Sequence, residues 1–273
     1  MATLSDLRKR LRGIQTICQL AGAMRSVSSA KLARLKNAVN SFRPYAQCCR
    51  ELLEASGAVI LPTEGGNERT LIVLLSGNRG LCGSYHNELF SYFRSLPELE
   101  NACFITGGNM AAVHLKERGI PIEASFQIAD VPEFSQAEAL TERILAMYTS
   151  GLVNRVLIVY SEAVNAMKQT PRCLELLPGK SSGEEQELIW LPDAETGRQG
   201  LAEFCLRAQV YYLLLNSAMG VQGATLSSMR SAYDNGKATA GELETAINRL
   251  RQSKVTTSVI ETSAGLWLEE EGK

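Results

Sequence analysis

The chain has 273 residues, 45% hydrophobic and 21% charged, with a net charge of −1, which suits one large domain or two smaller ones and argues against a disordered protein. No apolar run approaches the length of about eighteen residues that a membrane span needs, and the opening MATLSDLRKRLRG lacks the apolar stretch of a secretory leader, so a soluble, unprocessed chain is expected. Seven cysteines (Cys18, Cys48, Cys49, Cys82, Cys103, Cys173, Cys205) include no C-x-x-C pair, and with only His86 and His114 as imidazoles there is no zinc-type spacing; reduced thiols and no metal or cofactor are expected.

The first fifty residues are strongly basic. Arg8, Lys9, Arg10, Arg12, Arg25, Lys31, Arg34, Lys36, Arg43 and Arg50 stand against a single acid, Asp6. A solvated helix face normally mixes signs for i,i+4 support, so a one-signed face points to an acidic partner. Stepping alternately three and four residues from Leu4 gives Leu7, Leu11, Ile14, Cys18, Ala21, Arg25, Ser28, Leu32, Leu35, Val39 and Phe42, a heptad seam broken only at Arg25 and Ser28. Met24 and Val27 are apolar one position out of phase, so the seam is expected to shift there. Pro44 is expected to kink the helix. A helix over roughly 3–56 would be about 80 Å long, more than a compact domain of this size contains, so part of it should project.

LPTEGGNER (61–69) reads as a linker. Beyond it, RTLIVLLS (69–76), ACFIT (102–106) and NRVLIVYSE (154–162) are short runs rich in branched residues, alternating with helical stretches at 85–96, 108–118 and 135–149. This texture is that of a small Rossmann-like α/β domain. RCLELLP (172–178) and ELIWLP (187–192) are expected to close it as a hairpin across GKSSGEEQ. After Pro192 no proline follows. Leu201, Cys205, Ala208, Tyr212, Leu215, Met219, Leu226, Met229, Tyr233, Leu243, Ile247 and Leu250 keep the three-four stepping of a second long helix. Gly236 and Gly241 each cost about 1 kcal/mol relative to alanine inside a helix, so bending or fraying is expected around YDNGKATAGE. The architecture expected is therefore a long antiparallel coiled coil of the N- and C-terminal helices, residues 1–60 and 200–273, plus a small α/β domain over 69–192.

Within the α/β region, SGNRGLCGS (76–84) brings three glycines together after a strand. A P-loop needs a lysine and a hydroxyl after its last glycine, and the dinucleotide fingerprint needs two glycines one residue apart with an acid closing the next strand; neither pattern is present. The glycines instead allow a tight turn that would put Arg79 and Cys82 on an exposed tip. Ser76 lies outside any Gly-x-Ser-x-Gly elbow. His86 and His114, without an orienting carboxylate at a readable spacing, read as polar surface or capping residues.

IQTICQLAGAMRSVSSAKL (14–32), SGNRGLCGS (76–84) and MRSAYDNG with AINRLRQSKVT (229–256) resemble, in order and spacing, three hallmark segments of the gamma subunit of F-type ATP synthases, and the resemblance covers nearly the whole chain. It implies a non-catalytic central stalk turning inside the ring of alpha and beta subunits, with the epsilon subunit and the membrane c-ring at its foot, no nucleic acid, and only indirect membrane contact at the cytoplasmic face of a bacterial inner membrane. It also implies partner contacts at Met24 and Lys31 on the first helix, at Arg79 and Cys82 in the glycine turn, and at Arg249, Arg251, Gln252 and Thr256 on the last.

Four positions depart from the family pattern. Val221 and Thr225 stand where a Glu and an Arg are usual, Ser258 replaces an acid, and Arg25 replaces a Glu. The closing WLEEEGK puts acids at a tip that members keep apolar. The redox-regulated insertion of photosynthetic eukaryotes is missing, which implies a bacterial-type member. Two other readings stay open: a divergent paralogue or basic coiled-coil adaptor, and a nucleotide-using α/β enzyme with helical arms.

Overall fold

A computed structural model of the chain describes residues 3–58, 60, 68–165, 168–179, 190 and 193–270, with 261–270 described as helical backbone only. Residues 61–67 of the expected linker over 61–69, nearly all of ELIWLP, and the side chains of the WLEEEGK tip lie outside the described residues. Contacts divide the chain into two units, Val27–Ser228 and a second made of Met1–Ser26 with Met229–Lys273.

The unit Val27–Ser228 is built on a five-stranded sheet in the order β3-β2-β1-β4-β5. β1 (Thr70–Leu75) lies between β2 (Ala102–Gly107) and β4 (Arg155–Ala163), parallel to both, and β3 (Ala124–Phe126) extends the parallel side. Leu71 to Leu75 are all buried because both faces of β1 are covered, as a parallel sheet requires. On one face Leu71, Val73 and Leu75 pack with Leu140 and Ile144 of α4 (Phe134–Thr149) and with Leu206, Val210 and Leu213 of α5 (Ala194–Glu270). On the other, Ile72 and Leu74 pack with Leu89 and Phe93 of α2 (Tyr85–Arg94) and Leu115 of α3 (Asn109–Lys116). Each such fully buried aliphatic side chain contributes about 1.5–3 kcal/mol.

RCLELLP falls in β5 (Gln169–Leu177), with Pro178 just past its end, and β5 pairs antiparallel with β4 from Ala163↔Gln169 to Val156↔Leu177. Its expected hairpin partner over 187–192 lies, but for Trp190, outside the described residues. Pro171 is tolerated because β5 is an edge strand among the described residues. Two elements escaped the sequence reading: the three-residue β3 and the 3-10 turn Pro97–Asn101.

Both long helices form. α1 (Leu4–Ser56) runs through Pro44, whose missing N–H leaves the exposed Asn40 carbonyl to water, and it ends at Gly57, whose φ of 61° suits a glycine. The seam does not shift as expected: Ser28 is buried at 5% exposure while Val27 is 53% exposed, so the three-four phase passes straight through the two polar positions. In the Met1–Ser26 and Met229–Lys273 unit, Leu7 and Ala21 are buried, and the Arg25 guanidinium lies 4.7 Å over the Tyr233 ring. Stacking on an aromatic face explains how an arginine occupies a seam position. In the other unit Leu35 and Val39 pack with Leu215, and Cys49 with Cys205 and Ala208.

Gly236 and Gly241 interrupt nothing, since α5 is one helix of 77 residues. A β-carbon built on Gly236 would stand 2.5 Å from Cys18 Sγ, so this glycine permits close approach of α1 rather than marking a break.

Candidate functional site

The chain reverses direction at β1, with β2 and β3 on one side and β4 and β5 on the other, which places a topological switch point at the carboxyl end of β1. Open α/β sheets bind nucleotides in that crevice. Here α5 fills it. Its Leu206–Leu214 stretch packs on one face of the sheet and Val221 and Ala224 on the other, so the helix passes across the strand ends. Gly77 makes the passage possible: a β-carbon there would lie 3.0 Å from Val221 Cγ1. The remaining cavity, lined by Ser76, Asn78, Asp130 and Gln222 among others, holds about 20 Å³, room for about one water molecule.

The helix terminus that a phosphate would use is also engaged. The first N–H groups of α3 donate to Asn78 Oδ1 from Asn109 (3.2 Å), to the Gly77 carbonyl from Met110 (3.0 Å) and to Ser76 Oγ from Ala111 (2.8 Å). Anion binding at a helix start depends on such groups being free. Ser76, buried and committed to this cap, is a structural residue.

The glycine turn separates the two side chains assigned to its tip. Arg79 is exposed, but Cys82 is buried at 3% exposure against the α2 and α5 core, and burial pushes its thiol pKa up. The side chain that joins Arg79 at the surface is Leu81, 58% exposed with φ at +65°. A bulky residue in the left-handed region is strained, and such strain gathers at functional turns. Nothing in the sequence flagged it beyond its place inside Arg-Gly-Leu-Cys-Gly.

The histidines are likewise not surface residues. His86 and His114 are buried and sandwich Phe90, with ring centroids 5.7 and 3.9 Å from it. His86 Nε2 lies 3.1 Å from the Arg79 carbonyl and so carries the proton that it donates, tying α2 to the turn. Burial lowers both imidazole pKa values, with Arg118 and Arg94 adding to the effect at His114.

On α1, Ile17 and Leu20 are 58% and 60% exposed and Met24 is half-buried, a second apolar line beside the seam of which the sequence reading noted only Met24, as a shift of the seam. Its 3,4 spacing was the available signal. Arg8, Lys9, Arg10, Arg12, Arg34, Lys36, Arg43 and Arg50 are all exposed. Lys31 is not a free cation, because its Nζ pairs with Asp130 ahead of α4. On α5, every residue from 251 to 260 is exposed, among them Val255, Val259 and Ile260 at 57–62%. Arg249, Gln252 and Thr256 fall at i, i+3 and i+7 on one face, with Arg251 off that line. Thr256 Oγ1 donates to the Gln252 carbonyl at 3.0 Å. Val221 and Thr225, where the resemblance implies a Glu and an Arg, are turned inward at 8% and 7% exposure, and Thr225 Oγ1 donates to the Val221 carbonyl at 2.8 Å. Ser258 is exposed.

Comparison with known proteins bears on these surfaces. The family described as ATP synthase, ATP-synt, matches residues 3–266. The ATP synthase gamma chain of Desulforamulus reducens is 30% identical over 97% of this chain and 98% of its own, and that of Desulfitobacterium hafniense 29% over the same shares. Among solved structures, a chain of the Euglena gracilis mitochondrial ATP synthase (OSCP/F1/c-ring, rotational state 3) superposes with a TM-score of 0.75 at 18% identity, covering 99% of this chain and 95% of its own. One from the Tetrahymena thermophila mitochondrial ATP synthase central stalk and c-ring gives 0.62 at 22%, covering 78% and 99%. These two show a shared fold. A family match over residues 3–266 and identity sustained along nearly the full length of both chains place this chain in the ATP synthase gamma chain family.

Proposed function

We propose that the chain is the non-catalytic central shaft of an F-type ATP synthase, transmitting ion-driven rotation to or from the alpha-beta ring. The observation that carries this reading is the stretch 251–260 of α5, helical and exposed on every side with Val255, Val259 and Ile260 uncovered. A bare helix that keeps its apolar residues facing solvent is suited to a partner's enclosing surface. The exposed cations of α1 serve a sliding contact, because hydrated surface ion pairs contribute only about 0–1 kcal/mol each and are screened by salt. Residues 1–60 and 200–273 are the shaft in this reading and 69–192 the foot. Met24, Arg79, Arg249, Arg251, Gln252 and Thr256 are its contacts with the ring, and Lys31 joins them through the pair it makes with Asp130. Cys82 supports the turn from beneath, and Leu81 takes its place at the surface.

The partners are the alpha and beta subunits, with epsilon and the c-ring at the foot. No helix among the described residues is long and apolar enough to cross a membrane, which suits a peripheral subunit held at the cytoplasmic face of a bacterial inner membrane by its neighbours. The filled switch point supports a role without nucleotide chemistry of its own.

Coexpression with the alpha and beta subunits of the same genome is expected to yield an assembled ring with ATPase activity. In that ring Gln252→Ala with Thr256→Ala lowers coupled turnover while leaving assembly intact. A chain that never enters the ring defeats the proposal; normal turnover in the double variant defeats only the assigned contact.

A further inference from the structure

We infer that the wedge between α1, α5 and the β4–β5 side of the sheet is a binding site for a single-chain anionic amphiphile, a long-chain carboxylate. A cavity of about 560 Å³ lies there, within the range of about 300–1,000 Å³ of small-molecule pockets, in a unit whose other crevice holds only about 20 Å³. Its floor is apolar, with Leu53 of α1, Leu176 of β5 and Leu206 of α5 facing one space from three elements.

Charge at its edge selects the head group. Arg43 and Arg50 line the cavity two turns apart on α1, both exposed, and neither makes an ion pair or hydrogen bond among the described residues. Of the two acids at the cavity, Glu175 is neutralised by Arg155 at 2.7 Å, which leaves Glu54 alone against two free guanidinium groups. A guanidinium offers a planar fork that fits a carboxylate. A polyphosphate or nucleotide would bury polar groups against leucine without partners, at a cost that an acyl chain does not incur. Apolar tail on the floor and carboxylate at Arg43 and Arg50 satisfy both halves of the site.

The test is calorimetric titration of the full chain with dodecanoate below its micelle threshold, beside dodecanol and dodecyl phosphate. One saturable site is expected, weakened about tenfold or more when the carboxylate is replaced by the alcohol and again by Arg43→Gln with Arg50→Gln. Both arginines are exposed, so circular dichroism of the double variant should match the parent. Absence of saturation below the micelle threshold, equal binding of dodecanol, or unchanged binding by the double variant overturns the proposal. Binding of dodecyl phosphate alone overturns the carboxylate assignment.

Discussion

Gly236 of α5 faces Cys18 of α1 with no room for a methyl group, since a β-carbon on the glycine would stand 2.5 Å from the Cys18 Sγ. Helix propensity alone would make alanine better than glycine here by about 1 kcal/mol. Close packing reverses that preference, because overpacking a helix contact costs about 1–3 kcal/mol and Cys18 has only one side-chain torsion with which to yield. Gly236→Ala should therefore lower the denaturation midpoint. Cys18→Ala removes the obstructing sulfur, so in that background Gly236→Ala should raise it. A double-mutant cycle in urea measures the coupling, and additive effects would mean that the helices do not meet here.

The buried imidazoles of His86 and His114 give stability a dependence on pH. Both have pKa values lowered from 6.5 by burial, while in the unfolded chain they titrate near that value. Below about pH 6.5 the unfolded state thus binds more protons than the folded one, and stability falls with acidity until the folded pKa values are passed. Above it the contribution is complete. Midpoints measured from pH 7.5 down to 5 should decline, and His86→Gln with His114→Gln should flatten that decline. A parallel decline in the variant would assign the effect to the carboxylates.

What could be read from sequence follows from where each signal originates. The heptad seam was legible because every third or fourth residue answers to one partner helix, and Leu35, Val39 and Leu215 are buried as the stepping implies. Its course through Arg25 and Ser28 was not, because Arg25 qualifies only through the Tyr233 ring that meets it from the far end of the chain. The strands β1, β2 and β4 were visible as runs of branched residues. The antiparallel pairing of β5 with β4 was not legible, because the link between them, Val164 to Lys168, has neither glycine nor proline to signal a turn. Burial of Cys82 and occupation of the switch point depend on α5 arriving at the glycine turn more than a hundred residues later. Local patterns carry no trace of it.

Thiol reactivity should sort the cysteines by the helix packing. Cys48 is exposed on α1, while Cys49 beside it is buried against Cys205, whose pKa burial pushes up to about 12. The thiolate is the reactive form, so a buried thiol of high pKa waits for opening. Labelling with an aromatic disulfide should give a fast phase that Cys48→Ser removes, and Cys49, Cys82, Cys103 and Cys205 should label only as the chain unfolds. Fast labelling of Cys205 in the Cys48→Ser variant would contradict the contact between the two helices.

Arg25, where the sequence resemblance implies an acid, is engaged within its own unit by the Tyr233 ring. Its guanidinium over Tyr233 contributes about 0.5–1 kcal/mol at a partly exposed site. Arg25→Glu sets a carboxylate against the electron-rich ring face, so it should destabilise the chain by about 1 kcal/mol or slightly more. Arg25→Lys keeps the charge and loses the planar stacking, and should fall between the two. Tyr233→Leu removes the ring, and in that background exchanging arginine for glutamate should cost little. If Arg25→Glu costs as much without the ring as with it, the arginine is held by something other than Tyr233, and its presence in the seam needs another cause.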